Sequence, residues 1–338
     1  MTRPLRLALG AVGLAVLTGC ASLGIDDAVK QTNSSAAQFT DGNLELSRTQ
    51  EQRDARLAVA NELLGKPLTQ DAAVRLALAN SPALQAMVAQ SWAEISNANQ
   101  AGRIPNPVFS FERLRIGDEL EIGRLLSFGV VDLILLPRRM SIARSQGIQA
   151  QIQLTTTVVD QVTQVRQAWV RAIAAQQLLQ YAEQVKQSAE ASAELARRMQ
   201  LIGNFSKLQR ARQQVFYADA TTQLAAARHA ATSSREELVR ALGLDDSQAA
   251  KLQLPERLPD LPKAPRPAQD VASTAGVQRL DVQQARAQLE VAGKSQGISQ
   301  LSTFIDVEAG IRRDTVFDNQ EGTRSTGRGF ELDIRLPL

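Results

Sequence analysis

Cysteine and histidine are nearly absent from this 338-residue chain: there is one of each, Cys20 and His229. A single thiol excludes a disulfide framework within the chain, and one thiol with one imidazole excludes a Cys/His zinc site. A Ser–His–Asp triad would have to use His229, which lies in an Ala- and Arg-rich stretch without a nucleophile elbow. Aromatic residues make up 4%, little for the thick core of a compact enzyme. Strong charge of either sign is also missing. The formal charge is +3, and without Arg3 and Arg6, in a segment read below as cleaved, 36 bases face 35 acids. No Lys/Arg cluster with interleaved aromatics occurs, so the basic pI is no sign of nucleic-acid binding. Breakers are scarce as well. No proline falls between Pro137 and Pro255, and the only glycines there are Gly147, Gly203 and Gly243.

The N-terminus reads as an address. Arg3 and Arg6 are a positive n-region, and residues 7–17 are an apolar run of 11, too short to span a bilayer as a helix. The run closes on Leu17-Thr18-Gly19-Cys20, which resembles the lipobox of bacterial lipoproteins. The plainer alternative is an ordinary secretory signal with an incidental cysteine; the sole thiol standing at the modification position argues against it. The resemblance implies a diacylglyceryl-modified, N-acylated Cys20, and several acyl chains anchor stably where one does not. Ala21, not Asp, follows, which in such lipoproteins implies sorting to the outer membrane.

Residues 148–202 and 204–242 are uninterrupted stretches of 55 and 39 residues, rich in Ala, Gln, Glu, Arg and Leu. Helices so long need lateral support, which a coiled coil supplies. Val158, Val162, Val165, Trp169, Ala172 and Leu179 repeat at steps of four and three, and Leu208, Ala211, Val215, Ala218 and Ala225 predict the matching seam. Between them Gly203 is placed for a left-handed cap, and Ser206 for the N-cap of the return helix. Upstream, Thr69 predicts a helix over about 70–80 and Ser81-Pro82 a restart to about Gly102. Downstream, five of twelve prolines crowd into 255–267, an extended linker, and a further helix is expected over about 269–297.

Four stretches read as strands: 108–114, 128–136, 303–311 and 330–336. The last alternates most cleanly, with Phe330, Leu332, Ile334 and Leu336 against Glu331, Asp333 and Arg335. Apolar residues on one face and charges on the other fit a strand between lipid and a wet lumen. The alternative is a surface sheet over a soluble core. Six of the nine phenylalanines (109, 111, 128, 304, 317 and 330) fall in the two regions that hold these strands, 108–136 and 303–336, which favours lipid. The order helix, strand, loop, strand occurs twice, at offsets of 196–200 residues: Ser81-Pro82-Ala83-Leu84 matches Arg279-Leu280-Asp281-Val282, and Leu136-Pro137 matches Leu336-Pro337. The first repeat is followed by a hairpin; the second is expected to lack one of roughly a hundred residues, by analogy with 138–242.

With these residues in place, the chain resembles the TolC-type outer membrane efflux protein family, in its lipoprotein branch. The resemblance rests on Ala77-Leu78-Ala79-Asn80-Ser81-Pro82-Ala83-Leu84, similar to that family's "AL-x-x-NP-x-L" motif, on Arg103-Ile104-Pro105-Asn106-Pro107 before the first strand, on Leu201-Ile202-Gly203-Asn204-Phe205-Ser206-Lys207-Leu208 at the hairpin tip, and on the duplication. It implies a mainly α fold with a small β part: long antiparallel helical hairpins of an α-barrel, and amphipathic strands of a trimeric transmembrane β-barrel. It also implies a homotrimer in the outer membrane with a long periplasmic extension. Such a trimer works with a periplasmic adaptor and an inner-membrane transporter as a passive exit duct for drugs, metal ions or other small solutes, with no enzyme activity, cofactor, metal or nucleic acid. The domains are expected at 1–19 (signal peptide), 20–68 (anchored segment), 69–254 (first repeat), 255–268 (linker) and 269–338 (second repeat, cut after its strand pair). The expected sites are Cys20 for lipidation, Leu201, Gly203, Asn204, Phe205 and Ser206 for adaptor docking, and Phe330, Leu332, Ile334 and Leu336 for lipid contact. Phe205 has two readings: an exposed apolar anchor, or a hydrophobic contact folded back on the helix end. A structural coiled-coil lipoprotein or a periplasmic adaptor is the rival reading of the whole chain. Asp245-Asp246 is expected to start a turn, not to bind metal.

Overall fold

A computed structural model describes residues 24–37, 40, 43–261, 275, 278–296, 306–318 and 320–335. Cys20 and Leu336 lie outside these residues. The helices are α1 (Ile25–Ala36), α2 (Gln50–Leu64), α3 (Gln70–Asn80), α4 (Pro82–Ala101), α5 (Val130–Leu201), α6 (Lys207–Leu242), α7 (Asp246–Ala249) and α8 (Leu280–Ser295); the strands are β1 (Val108–Ile116), β2 (Glu119–Gly129), β3 (Asp306–Asp318) and β4 (Thr323–Arg335). The described residues of Trp92–Ile152 and Leu280–Leu338 belong to one unit, and those of Asp26–Ser91 and Gln153–Arg279 to another. No described helix is long and apolar enough to cross a membrane.

The helical unit is built on small residues and caps. Thr49 closes a capping box with Gln52 at the start of α2, and Thr69 caps α3 as its sequence predicts. Its core includes Leu68, Val74, Leu76, Leu84, Leu154, Val165, Ile173 and Leu238, each at most 1% exposed. Each such side chain contributes about 1.5–3 kcal/mol through burial. Trp169 joins this core, 3% exposed, and its indole N–H finds a partner in the Leu68 carbonyl at 2.7 Å. Asp245 caps the short α7 in a box with Gln248, the turn expected there.

The α5–α6 hairpin forms, but its second seam is not the expected one. Leu179 and Ala182 of α5 pack on Leu224 and Ala227 of α6, and Ala220 is buried above them. Leu208 and Val215, expected in the seam, are 61% and 60% exposed. Helix α6 thus carries two apolar stripes at heptad spacing. The alanines of the buried stripe let the helices approach closely, and Ala189 and Ala196 of α5 are buried to 0% and 1%.

The second unit holds one four-stranded antiparallel sheet in the order β1-β2-β3-β4. The two hairpins follow α4 and α8 respectively, so the order helix, strand, strand does recur. Strand boundaries correct the sequence reading. The expected strand over 128–136 is instead the end of β2 and the start of α5, with Pro137 inside the helix. A short apolar run such as 130–136 has no period that separates strand from helix. Here pairing ends where Gly129 meets Glu308. Asp132, in the first turn of α5, suits the positive helix N-terminus and binds Arg139 at 2.7 Å. The third and fourth strands extend to Asp318 and back from Thr323, through polar and glycine-rich residues that read as loop until a partner strand pairs them.

Candidate functional site

Paired residues of antiparallel strands share a face, and faces alternate along each strand. The register therefore sorts every strand side chain. One face carries Phe109, Leu126, Ile311 and Phe330 in one row, and Phe128, Ala309 and Leu332 in the next, with Val307 and Ile334 beyond. Phe330, Leu332 and Ile334 are 90%, 58% and 53% exposed, and Phe109 and Ile311 are 64% and 66% exposed. These apolar side chains thus form one continuous patch at the helix end of the sheet, exposed among the described residues. Towards the turns the same face carries six arginines (113, 115, 124, 313, 324 and 328) and no Asp or Glu.

The opposite face carries the acids, together with Val108, Leu114, Ile116, Leu125 and Val316. The described acids of the strands, Glu112, Glu119, Glu121, Glu308, Asp314, Asp318, Glu331 and Asp333, all lie on it. Among them Arg312 binds Asp314 at 2.7 Å and reaches Glu331 at 3.6 Å. Bonds to Asp314 and then its charge raise the Arg312 pKa. Gly123, Ser127 and Gly310 stand on this face and are buried. A Cβ at Gly310 would lie 2.6 Å from Leu125 Cδ1, so side chains crowd here as they do on the inner wall of a curved sheet.

At the hairpin tip, Gly203 takes φ +83°, the left-handed cap. The Asn204 N–H donates to the Met199 carbonyl at 2.9 Å, closing a Schellman motif. Ser206 caps α6 in a reciprocal box with Gln209. Leu201 and Ile202 are 73% and 69% exposed, Asn204 and Ser206 are exposed, and Phe205 is half-buried. The tip's most exposed apolar atoms are therefore those of Leu201 and Ile202. Just before it, Arg197 and Arg198 bond Glu194 and hold its carboxyl down at about 2, the hydrogen bond from Arg197 acting most.

One cluster escaped the sequence reading. The side-chain amide of Asn80 donates to the Gly243 carbonyl at 2.9 Å and to Gln248 Oε1 at 3.0 Å, and Gln248 returns a bond to Asn80 Oδ1 at 3.2 Å. Gly243, at φ +67°, brings its α-carbon so close that a Cβ would meet Ser81 Cα at 2.7 Å and Pro82 Cδ at 2.8 Å. The end of α6 therefore abuts the start of α4. The Asn80-Ser81-Pro82 motif singled out in the sequence is this joint; the only signal of its partner was the Gly243 helix stop.

No protein-family model matches the sequence, and no curated protein matches it. Solved structures do match the fold. VceC, an outer membrane protein of Vibrio cholerae, aligns over 83% of this chain and 69% of its own, with 17% identity and a TM-score of 0.60. The CmeC outer membrane channel of Campylobacter jejuni aligns over 90% and 67%, with 13% identity and a TM-score of 0.59. The outer-membrane channel OprN aligns over 89% and 69%, with 14% identity and a TM-score of 0.60. The chain has the TolC-type fold of these channels, predominantly helical with a small antiparallel sheet.

Proposed function

We propose that this chain is the subunit of an outer-membrane exit duct for small solutes, anchored through a lipid on Cys20. The observation that carries this reading is the two-faced sheet: one face acid-free, with an exposed apolar patch at its helix end, the other holding the described strand carboxylates. A coiled-coil lipoprotein or an adaptor has no need of such a sheet. Among the described residues the sheet also ends on two unpaired edges, β1 and β4. Edges so long are templates for pairing with further strands, and a second copy of the chain supplies the complementary edge. Three copies close the barrel. The second apolar stripe of α6, with Leu208 and Val215, meets a neighbouring subunit in the same assembly. Leu201 and Ile202, with the backbone of Gly203 and the side chains of Asn204, Phe205 and Ser206, form the docking tip for a periplasmic adaptor, itself coupled to an inner-membrane transporter.

The deciding experiment is export by the full-length natural gene in a deletion strain, read across a panel of drugs and metal ions. Leu332→Arg is expected to abolish trimer assembly and export together, because a charge on a lipid-facing strand costs about 2–4 kcal/mol near the bilayer midplane. Asp333→Asn, on the other face, is expected to leave assembly intact. Equal tolerance of the two refutes the face assignment. At the tip, Leu201→Ser with Ile202→Ser is expected to remove export and adaptor cross-linking from an intact trimer. Untouched export from that variant sets the docking site elsewhere.

A further inference from the structure

We propose that the turn-proximal half of the acid-free sheet face is a docking surface for the phosphorylated headgroups of the outer leaflet's glycolipid. This rests on the reading of that face as lipid-facing. Arg124, Arg313 and Arg328 stand side by side in one register row across β2, β3 and β4, with Phe111 completing the row on β1. Neighbouring strands lie about 4.7–4.9 Å apart, and like charges directly opposite each other are destabilising. A row of three guanidinium groups is therefore a costly arrangement unless something neutralises it. Nothing within the described chain does. Arg124 donates only to the Thr315 hydroxyl at 3.4 Å, and Arg324, nearer the turn, lies 5.4 Å over the Phe317 ring. None of the six arginines on this face pairs with a carboxylate among the described residues.

The position of the row fixes the chemistry of its partner. It lies two residues, about 6.8 Å, beyond the row of Phe109, Leu126, Ile311 and Phe330. It thus borders the apolar patch, where an arginine lays its methylenes along hydrocarbon and turns its head to the interface. Phe111 and Phe317 stand among the arginines as the aromatic girdle of a barrel does. Both hairpin turns lie at this end of the sheet, whereas α5 starts at the opposite end, directly after Gly129. In a channel whose helices run into the periplasm, the arginine end faces the cell exterior. The partner there is an anionic headgroup. A glycolipid bearing two or more phosphates, such as lipopolysaccharide, matches a row of planar forks better than a single-phosphate phospholipid, because each guanidinium takes phosphate oxygens in pairs.

The test uses the full-length protein, purified in detergent and stripped of lipid, with added lipopolysaccharide and the same glycolipid freed of its phosphates. Retained glycolipid is counted by native mass spectrometry. The native trimer is expected to keep the phosphorylated form and release the dephosphorylated one. The double variant Arg313→Gln, Arg328→Gln is expected to lose retention by about tenfold or more, while Arg312→Gln on the acidic face retains as the native protein does. Undiminished retention by the double variant overturns the proposal, as does equal loss from Arg312→Gln or equal retention of the dephosphorylated form. A spin label on Phe330→Cys separates the two layers of the argument. If bilayer-dissolved oxygen does not relax the label, the lipid-facing reading has failed and takes the proposal with it. If the label is relaxed while the arginine variant retains glycolipid, the headgroup proposal alone is overturned.

Discussion

Two glycines at helix ends show how space and backbone strain separate. Gly203 and Gly243 share a left-handed conformation, at φ +83° and +67°. A Cβ on Gly203 meets nothing within 4 Å, whereas one on Gly243 falls 2.7 Å from Ser81 Cα. Gly203→Ala is therefore expected to cost only the left-handed strain, about 1–2 kcal/mol. Gly243→Ala adds an overpacking cost of about 1–3 kcal/mol at the joint with α4. Denaturant unfolding of both variants checks this; equal losses refute the close approach. The sequence showed both glycines as helix stops, since a left-handed cap is a local requirement. It did not show that one stop is in open space and the other pressed against Ser81 and Pro82, because that contact joins residues about 160 positions apart.

The hairpin shows the same divide for elements. Its helices, its Gly203 turn and its Ser206 cap were legible from composition, breakers and caps. The pairing of its faces was not. Helix α6 offers two heptad stripes, and the stripe with the larger side chains, Leu208 and Val215, is the exposed one. Alanine wins the intrachain seam because it brings two helices closest, and hydropathy patterns weigh alanine least. Leu224→Ala is expected to destabilise the hairpin by about 2–3 kcal/mol, as a buried truncation does. Val215→Asn is expected to change hairpin stability by less than about 0.5 kcal/mol yet to weaken the proposed trimer. Thermal unfolding and crosslinking in the full-length protein separate the two. A hairpin that loses as much from Val215→Asn as from Leu224→Ala refutes the seam assignment. The strands failed differently. A strand expected over 128–136 is where α5 begins, and 119–127, 312–318 and 323–329, outside the expected strands, alternate too weakly or carry too many glycines and polar residues to announce themselves. Long-range pairing made them strands.

For the assembly as a whole, the division of charge between the sheet's faces sets what would pass through it. In the proposed duct, with the acid-free face towards lipid, the acidic face would line the lumen, and each copy would bring eight described carboxylates there. Arg312 answers one part of that charge through Asp314 and Glu331. Closing a low-dielectric wall around fixed negative charge raises the local concentration of cations and depletes anions. The open channel is therefore expected to prefer cations, and reversal potentials across a salt gradient measure this directly. The gradient should stay near 0.1 M, where charges act over about 10 Å; at 1 M the reach falls to about 3 Å and the preference should fade. Glu121→Gln with Glu331→Gln is expected to move the permeability ratio towards unity. Arg313→Gln, on the other face, is expected to leave it unchanged. An anion-preferring channel, or one whose selectivity follows Arg313 and ignores Glu121 and Glu331, would mean that the sheet's faces are reversed.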